Sequence, residues 1–227
     1  MRRFFCWVVV IGMLAGAFAH EKASSHPSSG KPSEEACGGC GMEGQPNKLA
    51  SQLVGRKVTE GAFTVLASPL SFGKGVKEGA TVKLTDLLKQ DGVKGIILDF
   101  VGAKCPFSQQ QLQGVAKALS QKNGKGVLVA AVFIDADPQV VRKALKERPL
   151  PTLVLWDKGG KVAHQWHIKA TPTVVVVRKN GVIATTYEGM APPIPDMYQH
   201  FFSAVLVAVA NGSSLPPQPM MGHMGGG

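Results

Sequence analysis

The sequence predicts an α/β sandwich in which a central mixed β-sheet is flanked by helices, and three observations carry that prediction. Between residues 62 and 211, short apolar runs alternate with segments of helical period. Two of the runs, 96–101 and 126–134, are apolar almost throughout, as strands buried on both faces are. The turn signal Asn180-Gly181 joins strand 174–177 to strand 182–187 as a hairpin, which makes the sheet mixed.

The elements follow in order. Residues 63–67 and 81–84 are short strands, and 85–89 a short helix with Thr85 or Asp86 near its start. Strand 96–101 leads through Gly102-Ala103-Lys104 to Cys105, and a helix runs from Pro106 to about Gln121, with Leu112, Val115, Ala116 and Leu119 as its apolar positions. After strand 126–134, Pro138 opens a helix that Pro149 and Pro151 stop near Arg148. Residues 152–156 form a brief strand, with Trp156 and Trp166 in packing roles. An amphipathic helix over 196–210 closes the domain.

Composition sets the ends apart. Arg2 and Arg3, an apolar run and Ala17-Phe18-Ala19 have the form of a signal peptide covering residues 1–19, so the protein is expected to be exported to a periplasmic or cell-envelope location, soluble after cleavage or anchored at its N-terminus. Residues 20–61 read as a flexible linker carrying Cys37-Gly38-Gly39-Cys40, and 212–227 as a disordered tail rich in Gly and Met. The formal charge of +10 is spread along the chain, without the basic run of a nucleic-acid-binding tail. No phosphate loop or dinucleotide fingerprint is present, and no resident cofactor is expected.

Of the four cysteines, Cys6 lies in the export segment, leaving Cys37, Cys40 and Cys105. Three thiols in an oxidising compartment leave one to be buried, reactive or joined to another molecule. Cys105 ends a strand and opens a helix, where unpaired N–H groups and the helix dipole stabilise a thiolate. Lys104 adds a positive charge, Pro106 suits the first helical turn, and the thiol is expected at an exposed position.

The run Asp99-Phe100-Val101-Gly102-Ala103-Lys104-Cys105-Pro106-Phe107-Ser108 resembles the active-site segment of thioredoxins. Further along, Phe133-Ile134-Asp135, Leu150-Pro151-Thr152, Ala170-Thr171-Pro172-Thr173, Lys179-Asn180-Gly181 and Tyr187-Glu188-Gly189 stand in the order of TlpA/ResA-like thiol-disulfide oxidoreductases. The resemblance covers about residues 62–210 and implies a thioredoxin-like sandwich acting on protein thiols and disulfides, with a membrane-bound or thioredoxin-like electron donor. It also implies that Pro172 is a cis-proline facing Cys105, and that Thr171 offers backbone to an extended substrate.

Ser108 departs from the pattern, because it stands where the family carries its second cysteine and cannot resolve a mixed disulfide. Asp99 matches the family's buried acid. Its task here is either to hold Cys105 and Ser108 through water, or simply to sit buried with a raised pKa. Cys37 or Cys40 is a candidate resolving thiol, against a permanent Cys37–Cys40 disulfide.

A redox-silent or copper-linked binding module is the competing reading, since Met220, Met221, His223 and Met224 are soft donors that suit copper(I). Peroxiredoxins carry Pro-x-x-x-Thr-x-x-Cys. Here Leu98 and Gly102 hold the first two positions, so peroxidase chemistry is not expected.

Overall fold

A computed structural model describes residues 51–58, 61–69, 76–189 and 195–219. The elements are β1 (Ala62–Ala67), β2 (Thr81–Lys83), α1 (Leu84–Lys89), β3 (Gly95–Val101), α2 (Pro106–Ser120), β4 (Val127–Phe133), α3 (Pro138–Glu147), β5 (Leu153–Trp156), α4 (Lys161–Gln165), β6 (Thr173–Arg178), β7 (Ile183–Glu188) and α5 (Pro195–Asn211). The strands form one mixed sheet in the order β2-β1-β5-β4-β3-β6-β7. β3 runs parallel to β4, and β4 to β5, whereas β6 is antiparallel to β3. This is the thioredoxin-like α/β sandwich.

The central strands are apolar because both faces are covered. On β3, Ile96, Leu98 and Phe100 pack with Leu84, Leu87 and Leu88 of α1 and with Val162 and Ala163 of α4. Ile97 faces the other way, towards Val115 of α2 and Tyr198, Phe202 and Val205 of α5. Val101 joins Leu112 of α2 and Val141 of α3. Every residue of β3 is buried, Asp99 included.

Local chemistry sets the element ends. Asp137 caps α3 by accepting the Gln139 N–H at 2.8 Å, and Pro138 follows it at a position where no N–H is needed. The β6–β7 turn closes through Gly181 at φ +80°, while the Asn180 side chain accepts the Val182 N–H.

Three features differ from the sequence reading. Helix α4, preceded by a 3₁₀ turn at Lys158–Gly160, is additional. Its first N–H groups are accepted by the buried Asp157 carboxylate, at 3.1 Å from Val162 and 2.8 Å from Ala163. Composition groups residues 51–58 with the linker, yet Leu53 and Val58 belong to the core beneath α1 and α4. It groups residues 212–219 with the tail, yet Leu215 packs beside α5 and the Tyr187 hydroxyl donates to the Pro216 carbonyl at 2.7 Å.

Among the described residues no helix is long and apolar enough to cross a membrane. Residues 1–19, Cys37, Cys40, Met220, Met221, His223 and Met224 lie outside the described residues.

Candidate functional site

The parallel strands β3, β4 and β5 end on one side of the sheet, and β6 begins there. Cys105 occupies the N-cap position of α2 in an extended conformation, with Pro106 as the first helical residue. Its Sγ lies 3.6 Å from the Thr171 carbonyl oxygen, which accepts from the thiol. The Thr171–Pro172 bond is cis, and both residues are buried. Gly102 completes the convergence: a Cβ at that position would lie 3.4 Å from Cys105 Cβ and 3.6 Å from Thr171 Oγ1.

One expectation is corrected here. Cys105 is buried, with 3% of its surface accessible, although its neighbours Lys104 and Pro106 are exposed. A helix N-terminus sets the polarity around a sulfur, but how deeply that sulfur lies depends on the segments folded over it, and spacing along the chain does not report them.

The loop carrying Cys105 is tied down from three directions. Ser108 is fully buried, and its Oγ accepts the Gly102 N–H at 3.2 Å. Both carboxylate oxygens of Asp135, just past β4, accept the Ala103 N–H, at 3.2 and 2.9 Å. Gln109 donates from Nε2 to the Ala103 carbonyl at 3.0 Å, and its own Oε1 accepts from Arg148 at 2.9 Å. Charge-assisted and reciprocal bonds of this kind hold a short loop in one geometry. Trp156 adds support by donating to the Asp135 carbonyl at 2.8 Å.

Beneath the loop lies a buried polar cluster. Asp99 faces α2 and α5, and its Oδ1 accepts from Gln111 Nε2 at 2.5 Å. Asp99 Oδ2, Gln111 Oε1 and the Tyr198 hydroxyl are buried without a hydrogen-bond partner among the described groups. Burial pushes the Asp99 carboxyl well above its ordinary value, opposed by the Gln111 bond. Burial and the neighbouring Asp99 push the Tyr198 phenol up as well. A neutral Asp99 offers an O–H donor where a carboxylate would only accept.

The structure thus brings Cys105, Ser108, Thr171 and Pro172 together, with Asp99 below them. Sequence reasoning misses Gln109, Gln111, Asp135, Arg148 and Tyr198. Gln111 has a readable signal, since it sits on the inward stripe of α2 with Leu112 and Val115. Tyr198 has none, because its position against α2 depends on Gly114, where a Cβ would come within 3.0 Å of the ring. His164, His167 and His200 are all exposed.

Comparison with known proteins bears on the family and the fold. The model of the AhpC/TSA family matches residues 63–186, more than half of the chain. A thiol-disulfide oxidoreductase ResA of Halalkalibacterium halodurans is 26% identical over 112 residues, covering 49% of this chain and 61% of that protein. A ResA of Bacillus thuringiensis subsp. konkukian is 26% identical over 119 residues, covering 50% of this chain and 69% of the relative. The chain therefore spans less than two thirds of the first relative's length.

Among solved structures, a Chlorobium tepidum protein provisionally assigned as thiol:disulfide interchange protein DsbE superposes with a TM-score of 0.53 at 21% identity, covering 69% of this chain and 96% of its own. An uncharacterized conserved protein of Geobacillus kaustophilus gives a TM-score of 0.55 at 19% identity, over 73% of this chain and 86% of its own. At these identities the structural likeness speaks for the fold, and the matched family model for descent. The chain belongs to the AhpC/TSA family and carries that family's redox-protein architecture on a thioredoxin-like sandwich.

Proposed function

We propose that this protein is an exported thiol-disulfide oxidoreductase that reduces protein disulfides through Cys105 and completes each cycle with Cys37 and Cys40. The observation that supports it best is the closeness of Cys105 Sγ to the Thr171 carbonyl, 3.6 Å away beside the cis Pro172. An extended peptide held by backbone at Thr171 presents its disulfide to that sulfur. Because Cys105 is buried, a substrate has to displace its cover in docking.

In the first step the Cys105 thiolate attacks one sulfur of the substrate disulfide. A Cys105–substrate bond forms, the substrate S–S bond breaks, and the leaving thiolate takes a proton from solvent. Ser108 has no sulfur with which to go further, and its hydroxyl is engaged by the Gly102 N–H. Cys37 or Cys40 then attacks Cys105, releasing the second substrate thiol, and the remaining cysteine displaces Cys105 to leave a Cys37–Cys40 disulfide. The substrate gains two electrons, which the Cys37/Cys40 pair loses. A dithiol protein serving as electron donor returns the pair to its reduced form.

Reach permits this. Ser51 follows Cys40 by eleven residues, and a chain of that length extends to at most about 36 Å. Residue Lys57 bridges Val182 at the far end of the β6–β7 hairpin from Pro172, and six-residue β6 is about 20 Å long.

The test is mass spectrometry of non-reduced peptides after substoichiometric oxidation with diamide. A Cys105–Cys37 or Cys105–Cys40 peptide is expected, and its absence at every oxidant ratio sinks the resolving step. The burial of Cys105 favours a second reading, a redox-silent binding module. Failure of Cys105 to form a mixed disulfide with any small disulfide in the folded chain would support it.

A further inference from the structure

Asp99 and Gln111 meet in the space between β3 and α2. Gln111 Nε2 donates to Asp99 Oδ1 at 2.5 Å, while the other oxygen of each side chain, Asp99 Oδ2 and Gln111 Oε1, is buried without a hydrogen-bond partner among the described groups. Both residues are closed to water, with 0% and 1% of their surface accessible. Two such oxygens in one contact call for an explanation, because buried side-chain polar atoms are nearly always satisfied. A carboxylate and an amide carbonyl cannot satisfy each other, since both only accept. A protonated carboxyl can. It sets one donor beside one acceptor, as a primary amide does, so the O–H on Oδ2 donates to Gln111 Oε1 while Nε2 donates to Oδ1. One proton pairs both oxygens and closes a ring of two hydrogen bonds.

The surroundings favour the same proton. β4 brings Ala131 alongside Asp99 and β6 brings Val174, neither of which can titrate. From α5 comes Tyr198, whose phenol is pushed up by burial and by Asp99 and so stays neutral. Along α2 the groups on this side are the Ser108 hydroxyl, Gln111 itself and, at the N-cap, Cys105. Among the described residues no Lys, Arg or His side chain is buried, so no cation is packed against Asp99 to hold it as a carboxylate. An ionised carboxyl there would be unpaired and short of donors, which is costly.

The pair lies beneath the thiol. Asp99 stands three residues before Gly102 on the chain leaving β3, and Gln111 stands six residues after Cys105 along α2. At about 3.3 Å per strand residue or 1.5 Å per helix residue, both routes put the carboxyl about 10 Å from the sulfur. The Gly102 N–H, donating to Ser108 Oγ at 3.2 Å, is a rung between the two segments. A negative charge at that distance would hinder formation of the thiolate by roughly tenfold.

We infer that Gln111 is a positioning residue that holds Asp99 as a neutral acid in a closed carboxyl–amide pair, so that Asp99 does not serve this chain as a proton acceptor. The consequence for the reaction rests on Cys105 acting as a thiolate. When its S–H bond breaks, the proton passes to solvent, and no carboxylate beneath the sulfur opposes the charge that forms. The arrangement suits Ser108, because at that position there is no second thiol whose proton a buried base would take.

The test uses the full chain. The infrared difference between wild type and Asp99→Asn at about pH 7 is expected to show the carbonyl band of one protonated, hydrogen-bonded carboxyl. Gln111→Leu is expected to move that band to the higher frequency of an unpaired acid. Absence of the band in wild type, or a band that ignores Gln111→Leu, overturns the pair. A second readout is the alkylation rate of Cys105 at about pH 7 in a chain with Cys6→Ser, Cys37→Ser and Cys40→Ser. Gln111→Glu sets a second carboxyl against the first, so that the two share one proton and carry one charge, and should slow alkylation about tenfold. Adding Asp99→Asn exchanges acid and amide, rebuilds a neutral pair and should restore the rate. A Gln111→Glu rate equal to the parent's in a folded chain, or a rate that the exchange fails to recover, overturns the inference. The band is read without thiol chemistry and decides the pair even where Gln111→Glu unfolds the chain. A Cys105 that took up no reagent would therefore count against the oxidoreductase reading alone.

Discussion

Asp99 is a carboxyl held in the middle of a sheet, and its environment dictates how it responds to pH. It stands on β3 in register with Ala131 of β4 and Val174 of β6, and none of its surface is accessible to water. Burial raises its folded pKa above the ordinary 3.8, so the folded chain holds this proton more tightly than the unfolded chain does. The resulting stabilisation is complete below 3.8 and is lost as pH rises through the elevated folded value. Asp99→Asn cannot ionise, so its stability relative to wild type should increase as pH is raised from about 5 to about 9, read from urea midpoints; parallel profiles would show that the carboxyl is not held neutral. A second prediction concerns Ser108. Side chains three apart at the start of a helix stand about 5–6 Å apart at Cβ, near enough to be bridged after small adjustment. Ser108→Cys should give a chain in which the introduced thiol forms a disulfide with Cys105, and which turns over an insulin disulfide assay even with Cys37→Ser and Cys40→Ser. If that variant is no faster than its Ser108 parent, the missing second thiol is not what limits the site.

At the scale of elements, the loop between β3 and α2 depends on a neighbour that sequence spacing does not point to. Asp135 accepts the Ala103 N–H with both oxygens, and bonds to a charged acceptor contribute about 1–3 kcal/mol. Asp135 is only half-buried, so Asp135→Ala is expected to cost about 1–2 kcal/mol in urea unfolding and to speed alkylation of Cys105, with Asp135→Asn restoring part of both. Helix α3 gives a cleaner case, because Asp137→Ala removes an N-cap and should cost about 1 kcal/mol without changing Cys105 reactivity. These elements also show what is legible in the sequence. The β6–β7 hairpin can be read because Asn180-Gly181 demands one turn geometry, and β3 because an apolar run of its length has to be buried on both faces. Helix α4 cannot: it is five residues long, follows Gly159 and Gly160 at positive φ, and owes its start to Asp157 accepting its N–H groups. Cys105, Ser108, Thr171, Pro172 and Asp99 are legible from motif order and Gln111 from the inward stripe of α2, but Tyr198 joins them from a separate element and leaves no local pattern.

For the whole molecule, the packed body extends past both boundaries that composition marks. Leu53 and Val58 join the core at one end, and Leu215 packs beside α5 at the other. Truncation after Asn211 removes Leu215 together with the acceptors of Tyr187 and Arg178, and should lower stability by about 2–3 kcal/mol. Truncation after Pro219 should leave the thermal midpoint unchanged; a large drop there would mean that residues beyond Pro219 also carry the fold. The interior is as exacting as the ends, since a Cβ at Gly95 would come within 2.6 Å of Val209 and 2.9 Å of the Val177 carbonyl. Gly95→Ala is therefore expected to cost about 1–3 kcal/mol by overpacking. The two segments that composition sets aside also meet the sheet's outer margin. Gly55 donates to the Ile183 carbonyl, Ile183 donates to Arg56, and Gln218 occupies the Glu188 carbonyl, while the opposite margin, β2, is three residues long. With one border blunt and the other engaged at both of its ends, little continuous backbone is left for a second molecule to zip onto. Resistance to edge-to-edge aggregation at high concentration is thus a property of the same short segments that flank the sheet at residues 51–58 and 212–219.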